Sequence, residues 1–366
     1  MIRDASLDDL DALVRIENAC FETDRLSRRN FRYMLTRAHA SLQVDAHGDQ
    51  LRAYVLTLFH AGTSLARLYS VAVLPAFQGQ GIGARLIEAA ETTALEHECI
   101  AMRLEVREDN PASISLYERL GYHRIGNHPD YYEDHMAALR MEKRLVPTLA
   151  QSMVQVPYYR QTLDFTCGPA SLMMAMKALH KDVVLDREEE IRLWRESTTV
   201  FMTSGHGGCG PYGMALAAFH RGFNVEVYVN DEGALFVDSV RSEEKKEVIR
   251  LVQADFLREL RDSSVQLHFH ALDIESIHTA FDEGAIPVVL ISSYRIYHEK
   301  FPHWVVITGF DERYVYVHDP YVDEEKGKTA TDVINMPILK KDFQRMARYG
   351  KSGLRAVLLL REKSEE

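Results

Sequence analysis

A glycine-rich segment, residues 78–83, separates two stretches of different periodicity. Leu65 to Val73 has the apolar and β-branched character of a strand, and Ile82 to His97 has the spacing of an amphipathic helix. A strand that enters a helix through glycines is a typical unit of α/β domains. The backbone N–H groups at such a helix start can bind an anion, although a plain tight connection explains the same glycines.

The other segments of the first half continue this alternation of strands and helices. Ser6 with Asp9 has the pattern of a helix N-terminus ahead of apolar residues at helical spacing. Gly121 is placed to end a further helix. The strands predicted beside Leu65 to Val73 are 41–44, 51–59, 100–106 and 137–145, and the further helix is 112–120.

Charge and cysteine content restrict the possible partners. The 366 residues carry a formal net charge of −11 without any block of like charges, which argues against nucleic acid and against an anionic membrane surface. No apolar run has membrane-spanning length. Cys20, Cys99, Cys167 and Cys209 lack the spacing of a zinc site or a disulfide framework. These features predict a cytoplasmic protein without a bound metal.

Lysine usage divides the chain into two parts. Lys143 is the only lysine among the first 145 residues, whereas the remainder uses both lysine and arginine. A strand pattern ends at Pro147, and a short polar stretch follows. The length is sufficient for two domains with separate cores. We therefore predict a first domain at 1–146, a linker at 147–153 and a second domain at 154–366.

Two spaced motifs of the first domain resemble the GNAT N-acetyltransferases. Val71 to Gly83 is similar to their acetyl-CoA segment, Q/R-x-x-G-x-G/A, and Leu104 to Tyr122 is similar to the C-terminal part of their site. Within that family, the bacterial enzymes that acetylate the N-terminal alanine of a ribosomal protein are most similar. The resemblance implies a mixed central sheet flanked by helices, acetyl-CoA as co-substrate, and a peptide or protein with a free amine as acceptor.

The same resemblance implies roles for single residues. Glu105 would be the general base for the acceptor amine, directly or through water, and Tyr117 would be the general acid for the departing CoA thiolate. A solvent-facing Glu105 and a Tyr117 that only packs on its helix are the ordinary alternatives. The implied cofactor-binding residues are Val71, Val73, Gln78, Gly79, Gln80, Gly81, Ile82, Gly83 and Asn110.

Cys167 begins a second candidate site. It precedes the apolar run Leu172 to Leu179, and Pro169 favours a helix start at this point. The positive end of a helix dipole stabilises a thiolate there. Gln161, six residues earlier, is placed to donate its amide to an oxyanion. A buried structural thiol is the commoner role for a cysteine of this kind.

A predicted hairpin supplies the partners of this cysteine. Strands at 304–310 and 314–318, joined by a turn at 311–313, place His303 and Asp319 at the same end and close to opposite one another. Cross-strand partners lie about 5 Å apart at Cβ, so the carboxylate could orient the imidazole.

Residues 154–366 resemble the papain-like cysteine peptidases that process bacteriocin leaders. The likeness rests on Val156 to Gln161, on the cysteine, and on His303-Trp304 and Asp319-Pro320. It implies an α+β papain-like fold with Cys167 as nucleophile, His303 as general base and Asp319 as its orienting residue. Gln161 and the N–H of Cys167 would form the oxyanion hole.

Gly205 to Pro211 repeats the Cys-Gly-Pro triplet at Cys209. Thr203 replaces glutamine six residues before it, and His206 with Cys209 would supply only two of the four ligands that zinc usually takes. We interpret this segment as a glycine-rich wall of the substrate cleft.

The sequence therefore predicts a bifunctional enzyme. One half would transfer acetyl from acetyl-CoA to a primary amine, and the other would cleave a peptide or amide bond through a thioester on Cys167. Two alternatives stand for the second half. It could pass the thioester to another amine as a transpeptidase or amidase, or it could be a non-catalytic module that binds peptide for the acetyltransferase.

Overall fold

The computed structural model describes residues 1–48, 50–146, 151–198, 207–237 and 240–363. The chain forms two compact units, Met1–Thr148 and Leu149–Glu366, each with its own apolar core. Of the predicted linker, residues 147–150 lie outside the described part, and Ser152–Met153 forms a short strand on the second unit. No helix of the described part is long and apolar enough to cross a membrane.

The first unit contains a mixed sheet with helices on both faces, as predicted. Its strands are β1 (Ile2–Asp4), β2 (Ala40–His47), β3 (Gln50–Phe59), β4 (Leu65–Val73), β5 (Ala101–Arg107), β6 (His123–His128) and β7 (Ala138–Arg144). Its helices are α1 (Leu10–Cys20), α2 (Arg28–Thr36), α3 (Ile82–Glu96) and α4 (Pro111–Arg119). The strand order is β1-β2-β3-β4-β5-β7-β6, with β4 and β5 parallel and the other neighbours antiparallel.

The alternation of side chains along β3 explains why helices cover both faces of this sheet. Ala53 and Val55 pack in one core with α3, whereas Tyr54 and Leu56 pack in another with α1 and α2. Successive strand residues point to opposite faces, so two apolar faces require two layers of helix.

The parallel pair of strands separates towards its carboxyl ends. The ladder between β4 and β5 covers only Leu65–Arg67 against Ala101–Arg103. Beyond it, β4 continues along β3 to Val73 after a register shift, and β5 continues along β7 to Arg107. The glycine loop after β4 and the Glu105 side of β5 therefore lie at the same opened edge of the sheet.

The second unit combines an antiparallel sheet with helices, in agreement with the predicted α+β class. Its strands are β8 (Ser152–Met153), β9 (Phe223–Val229), β10 (Gln266–His268), β11 (Ile286–Ser292), β12 (Pro302–Phe310), β13 (Tyr314–His318), β14 (Met336–Leu339) and β15 (Ala356–Glu362). Its helices are α5 (Cys167–Leu179), α6 (Arg187–Ser197), α7 (Pro211–Phe219), α8 (Glu243–Arg261), α9 (Ile274–Asp282), α10 (Tyr294–Tyr297), α11 (Ala330–Val333) and α12 (Lys340–Met346).

The strand order in this unit is β10-β9-β15-β11-β12-β13-β14, with β8 added on β12 and only β9 and β10 parallel. Helix α5 is buried from Gly168 to Met176 and packs against β11 and β12. A helix that is apolar on all sides must lie inside a core. This packing brings the first residue of α5 beside the first residues of β12.

Candidate active sites

The glycine loop has the backbone conformation that an anion site requires. Gly79 and Gly81 have φ values of +76° and +72°, where a side chain would be strained, and Gly81 is the N-cap of α3. A Cβ on Gly79 would meet no atom within 4 Å, so the space beside the loop is open. The first N–H groups of α3 therefore border accessible space, which fits the predicted binding of a diphosphate.

Neighbouring side chains hold this loop in place. Gln78 Nε2 donates to the Val73 carbonyl at 3.1 Å, which ties the loop to the end of β4. Arg85 Nη1 donates to the Gln80 carbonyl at 3.2 Å and adds a cation beside the loop. The sequence did not predict Arg85 as a site residue, because an arginine in the first turn of a helix forms no distinctive pattern.

Glu105 is buried rather than solvent-facing, and its carboxylate is engaged. Only 4% of its side chain is exposed, and Arg67 Nε on β4 donates to Oε2 at 2.9 Å. Arg67 Nη2 also donates to the Tyr131 hydroxyl at 2.8 Å. The structure thus excludes the solvent-facing alternative. It also adds Arg67 and Tyr131 to the site, which the sequence interpretation did not include.

Tyr117 lies on α4 and packs edge-on against Tyr122, with ring centroids 5.7 Å apart. Burial raises the pKa of Tyr117 to about 12, so its phenol is protonated at neutral pH and has a proton to donate. Tyr132 lies near both Tyr117 and Glu105. Burial is the main cause that raises the pKa of Tyr132, and the Glu105 carboxylate raises it further. The predicted acid and base thus share one neighbour.

The structure shows a capping role for Asn110, and the predicted cofactor contact stays a prediction. This residue is the N-cap of α4, and its side chain accepts a hydrogen bond from the Ser113 N–H at 3.1 Å. The Oδ1 atom is therefore used by the helix, and Nδ2 is the group with which Asn110 could contact a cofactor.

In the second unit, Cys167, His303 and Asp319 form one connected array. Nε2 of the buried His303 lies 2.6 Å from Asp319 Oδ1, and the Cys167 side chain is near enough to the same imidazole to contribute to its raised pKa. Because Nε2 faces the carboxylate, Nδ1 is the nitrogen left for the thiol. The structure thus brings together the three residues for which the sequence predicts the roles of nucleophile, base and orienting residue.

The buried charges of this array stabilise one another. Burial opposes the charged form of His303, but the Asp319 carboxylate raises the pKa of the imidazole to about 10. Burial likewise opposes ionisation of Asp319, but His303 keeps the pKa of this carboxyl below its usual range. At neutral pH a protonated imidazole therefore faces Cys167, and it can stabilise a thiolate.

Two further groups hold the aspartate. The Tyr297 hydroxyl donates to Asp319 Oδ2 at 2.7 Å, and the Tyr321 N–H donates to Oδ1 at 2.9 Å. Tyr297 was not predicted, because it lies on the short helix α10 and reaches the site only through the fold. With the Tyr297 bond, both carboxylate oxygens of Asp319 accept hydrogen bonds.

His303 and Asp319 do not lie nearly opposite one another, as the sequence predicted. Val306 pairs with His318, and this register places Asp319 two residues from the position opposite His303, so the two are diagonal neighbours. A register shift between Ile307 and Gly309 lies nearer the turn. Diagonal neighbours share a face of the sheet, which is why the two side chains still meet.

Gln161 is placed beside the array, but its amide already has one partner. Its N–H donates to the Pro320 carbonyl at 2.9 Å, and Nε2 donates to the Leu163 carbonyl at 2.8 Å. Only 7% of the residue is exposed, and Oε1 is a buried acceptor without a hydrogen-bond partner. One Nε2 hydrogen remains, and this is the group that the predicted oxyanion role needs.

Cys209 is part of the core behind helix α5. Burial raises the pKa of its thiol well above the ordinary value, and its carbonyl accepts from Trp304 Nε1 at 3.1 Å. A Cβ on Gly168 would lie 3.2 Å from Cys209 Cβ, so the two segments are in close contact. The predicted cleft wall begins at residues 205–206, and these residues, like Thr203, lie outside the described part of the chain.

Comparison with known proteins assigns both halves to families. Residues 156–361 match the Peptidase_C39 like family, and residues 10–122 match the acetyltransferase (GNAT) family. These matches confirm the predicted fusion, its fold classes and its enzyme classes, and they agree with acetyl-CoA as the predicted co-substrate. The roles of single residues stay predictions.

Individual relatives match the first half. Thialysine N-epsilon-acetyltransferase of Mus musculus is 29% identical over 33% of this chain and 74% of its own length. An uncharacterized protein of Mycobacterium leprae is 31% identical over 34% of each chain, so this chain spans about a third of that relative. The crystal structure of the ribosomal-protein-S18-alanine N-acetyltransferase of Escherichia coli is 25% identical, with a TM-score of 0.37, over 40% of this chain and 95% of that one.

Proposed function

We propose that this chain, which belongs to the Peptidase_C39 like family through residues 156–361, carries two activities: acetylation of a primary amine and thiol-dependent cleavage of a peptide or amide bond. The observation that carries the second activity is the array of the half-buried Cys167 with the buried His303 and Asp319. A cytoplasmic location is part of the proposal, since all four cysteines are free thiols.

In the first unit, the glycine loop and the start of α3 would hold the diphosphate of acetyl-CoA, with Arg85 beside it. The opened edge of β4 at Val71 and Val73 offers backbone groups to the rest of the cofactor. Bound acetyl-CoA supplies an acetyl thioester. The open space beside Gly79 and the left-handed Gly81 support this fit, because a side chain at either position would obstruct the loop.

The acid and base act at the separated ends of β4 and β5. Glu105 is fixed by Arg67 and almost fully covered, so we propose that it takes the amine proton through an intervening water. Tyr117 donates its phenolic proton to the thiolate of CoA as the C–S bond breaks. The acceptor would be an N-terminal or side-chain amine of a peptide or protein.

In the second unit, the Cys167 thiolate attacks the carbonyl carbon, and the developing oxyanion receives bonds from Gln161 Nε2 and the Cys167 N–H. His303 gives its proton to the departing amine as the C–N bond breaks. Neutral His303 then removes a proton from the water that hydrolyses the thioester. A transpeptidase would use another amine in place of that water, and product analysis with added amines distinguishes the two.

The array itself favours catalysis over simple peptide binding. A binding module has no use for a buried imidazole that a carboxylate keeps protonated beside a thiol, since burying both charges is costly. Accordingly, a thiol-reactive probe should label Cys167 faster than the other three cysteines, and His303→Ala should abolish that preference. Equal labelling of all four thiols would contradict the peptidase proposal.

A single experiment tests both activities. A mixture of peptides is incubated with acetyl-CoA and either the wild-type chain or the Cys167→Ala variant, and mass spectrometry reads new termini and new acetyl groups. We expect cleavage to disappear in the variant while acetylation continues. Cleavage that survives the substitution would exclude Cys167 as the nucleophile, and absence of acetylation in both samples would refute the acetyltransferase proposal.

A further inference from the structure

A buried glutamate on α6 holds the segment that precedes Cys167. Glu190 is completely buried, and each of its carboxylate oxygens accepts two hydrogen bonds. Oε1 accepts from the Thr162 N–H at 2.8 Å and from the Thr166 hydroxyl. Oε2 accepts from the Thr162 hydroxyl at 2.6 Å and from the Tyr159 hydroxyl at 3.0 Å.

All four donors belong to one short stretch, residues 159–166. This stretch carries Gln161, and Thr166 is the N-cap of the helix that begins with Cys167. On the opposite side, the Gln161 N–H donates to the Pro320 carbonyl, next to Asp319, and Arg160 pairs with Glu324. Glu190 therefore fixes the segment from the α6 side, while the end of the β12–β13 hairpin fixes it from the other.

The two glutamates before Glu190 in the sequence have different partners from those of Glu190. Glu189 forms ion pairs with Arg192 and Arg221, and Glu188 pairs with Arg192 at the surface. Only the third glutamate of the run turns inward, where it meets backbone and hydroxyl donors. A buried carboxylate is tolerated only when such donors satisfy it, so its conformation is tightly fixed.

We infer that Glu190 is a positioning residue for the oxyanion hole of the proposed cysteine peptidase. It holds the Gln161 side chain and the N–H of Cys167 at the separation that a developing oxyanion needs. Donors of this kind act only when they are preorganised within a fraction of an ångström. The inference rests on the proposed thiol mechanism, and it assigns Glu190 no contact with the substrate.

The test compares two reagents that differ in their need for the oxyanion hole. A peptide aldehyde, N-acetylglycylglycinal, adds reversibly to a thiolate and generates an oxyanion, whereas iodoacetamide alkylates the thiolate by displacing iodide without one. Glu190→Gln keeps the shape of the side chain but replaces one accepting oxygen with an amide group. Asp311→Asn is the matched control, because Asp311 is also buried and accepts bonds from Arg313, Tyr314 and Tyr316 at the far end of the hairpin.

We expect Glu190→Gln to weaken aldehyde binding at Cys167 by about 10-fold to 100-fold, because removal of a whole oxyanion donor costs about 100-fold to 1000-fold. The kcat for peptide hydrolysis should fall by a similar factor, with KM and the rate of iodoacetamide alkylation little changed. Asp311→Asn should leave all four quantities near wild type. Thermal unfolding curves ensure that each variant is compared in its folded range.

The outcomes separate the inference from the function on which it rests. If the wild-type chain binds the aldehyde at Cys167 and Glu190→Gln binds it equally well, the inference is wrong and the peptidase proposal stands. A parallel loss of alkylation and aldehyde binding would show that Glu190 supports the helix as a whole, which also overturns the inference. If the wild-type chain alkylates at Cys167 but neither binds the aldehyde nor cleaves peptides, both proposals fail.

Discussion

At the scale of single residues, the candidate reactive groups of both sites depend on other side chains that hold them in place. Cys167, His303 and Asp319 could be predicted from the sequence because each stands at the end of a recognisable segment. Arg67 left a weaker signal, an arginine inside an otherwise apolar strand, and such a residue requires a buried partner. Tyr297 and Glu190 left none, because only the fold brings them to the sites they support.

The charge state of His303 gives a pH dependence of stability. Its pKa rises from 6.5 to about 10 on folding, so the native state holds a proton that the unfolded chain has lost within this window. This contribution is complete below pH 6.5 and declines as the pH rises towards 10, by up to about 1.4 kcal/mol per pH unit. Asp319→Asn should flatten that decline, because the neutral amide no longer stabilises the imidazolium.

Urea unfolding between pH 6.5 and 10 measures this slope for the second unit. Other groups titrate in the same range, so the relevant quantity is the difference in slope between wild type and Asp319→Asn. Asp311→Asn should keep the wild-type slope, since it removes a buried carboxylate that lies away from His303. Identical slopes for wild type and Asp319→Asn would contradict the assigned charge state.

Tyr117 permits an equally direct test in the first unit. Tyr117→Phe keeps the ring that packs against Tyr122 but removes the proton that the proposed general acid donates. We expect kcat for acetyl transfer to fall by about 100-fold or more, with little change in the affinity for acetyl-CoA. Tyr122→Phe is the matched control and should retain most of the activity. If the Tyr117→Phe variant keeps the full kcat, Tyr117 only packs in the core and is not the general acid.

At the scale of elements, periodicity and capping predicted most of the first unit. The strand predicted at Leu65 to Val73 has those bounds, α3 begins at the predicted Ile82, and Ser6 forms a capping box with Asp9. The two features that build the sites were not predictable in this way. The opening between β4 and β5 and the register shift in the β12–β13 hairpin depend on pairing between strands, which a local pattern does not encode.

The backbone of the glycine loop leads to a prediction about the cofactor. Gly81→Val places a β-branched side chain at a φ of +72°, so the loop must change its conformation before α3 can begin. Calorimetry should show acetyl-CoA affinity weakened by at least about 10-fold. The control is Gly48→Val. It imposes comparable strain at a φ of +57° in the turn after β2, where a Cβ would meet no atom within 4 Å. If both variants bind acetyl-CoA as tightly as wild type, the loop does not hold the diphosphate.

At the scale of the whole molecule, the chain consists of two units with separate cores, and each contains a complete set of candidate catalytic residues. Among the described residues, the two apolar clusters of the first unit contain none beyond Leu145, and the cluster of the second unit contains none before Val154. The change in lysine usage near residue 145 therefore coincides with a physical division as well as a compositional one.

Independent cores predict independent responses to ligand. A ligand that binds only the folded form of one unit stabilises that unit by RT ln(1 + [L]/Kd), or about 2.7 kcal/mol at a concentration of 100 Kd. In differential scanning calorimetry of the full chain, we expect acetyl-CoA to raise the midpoint of one unfolding transition and to leave the second unchanged. Gly81→Val should abolish the shift, and Cys167→Ala should preserve it, because the thiol belongs to the other core. Equal displacement of both transitions would mean that the two cores unfold as one cooperative unit.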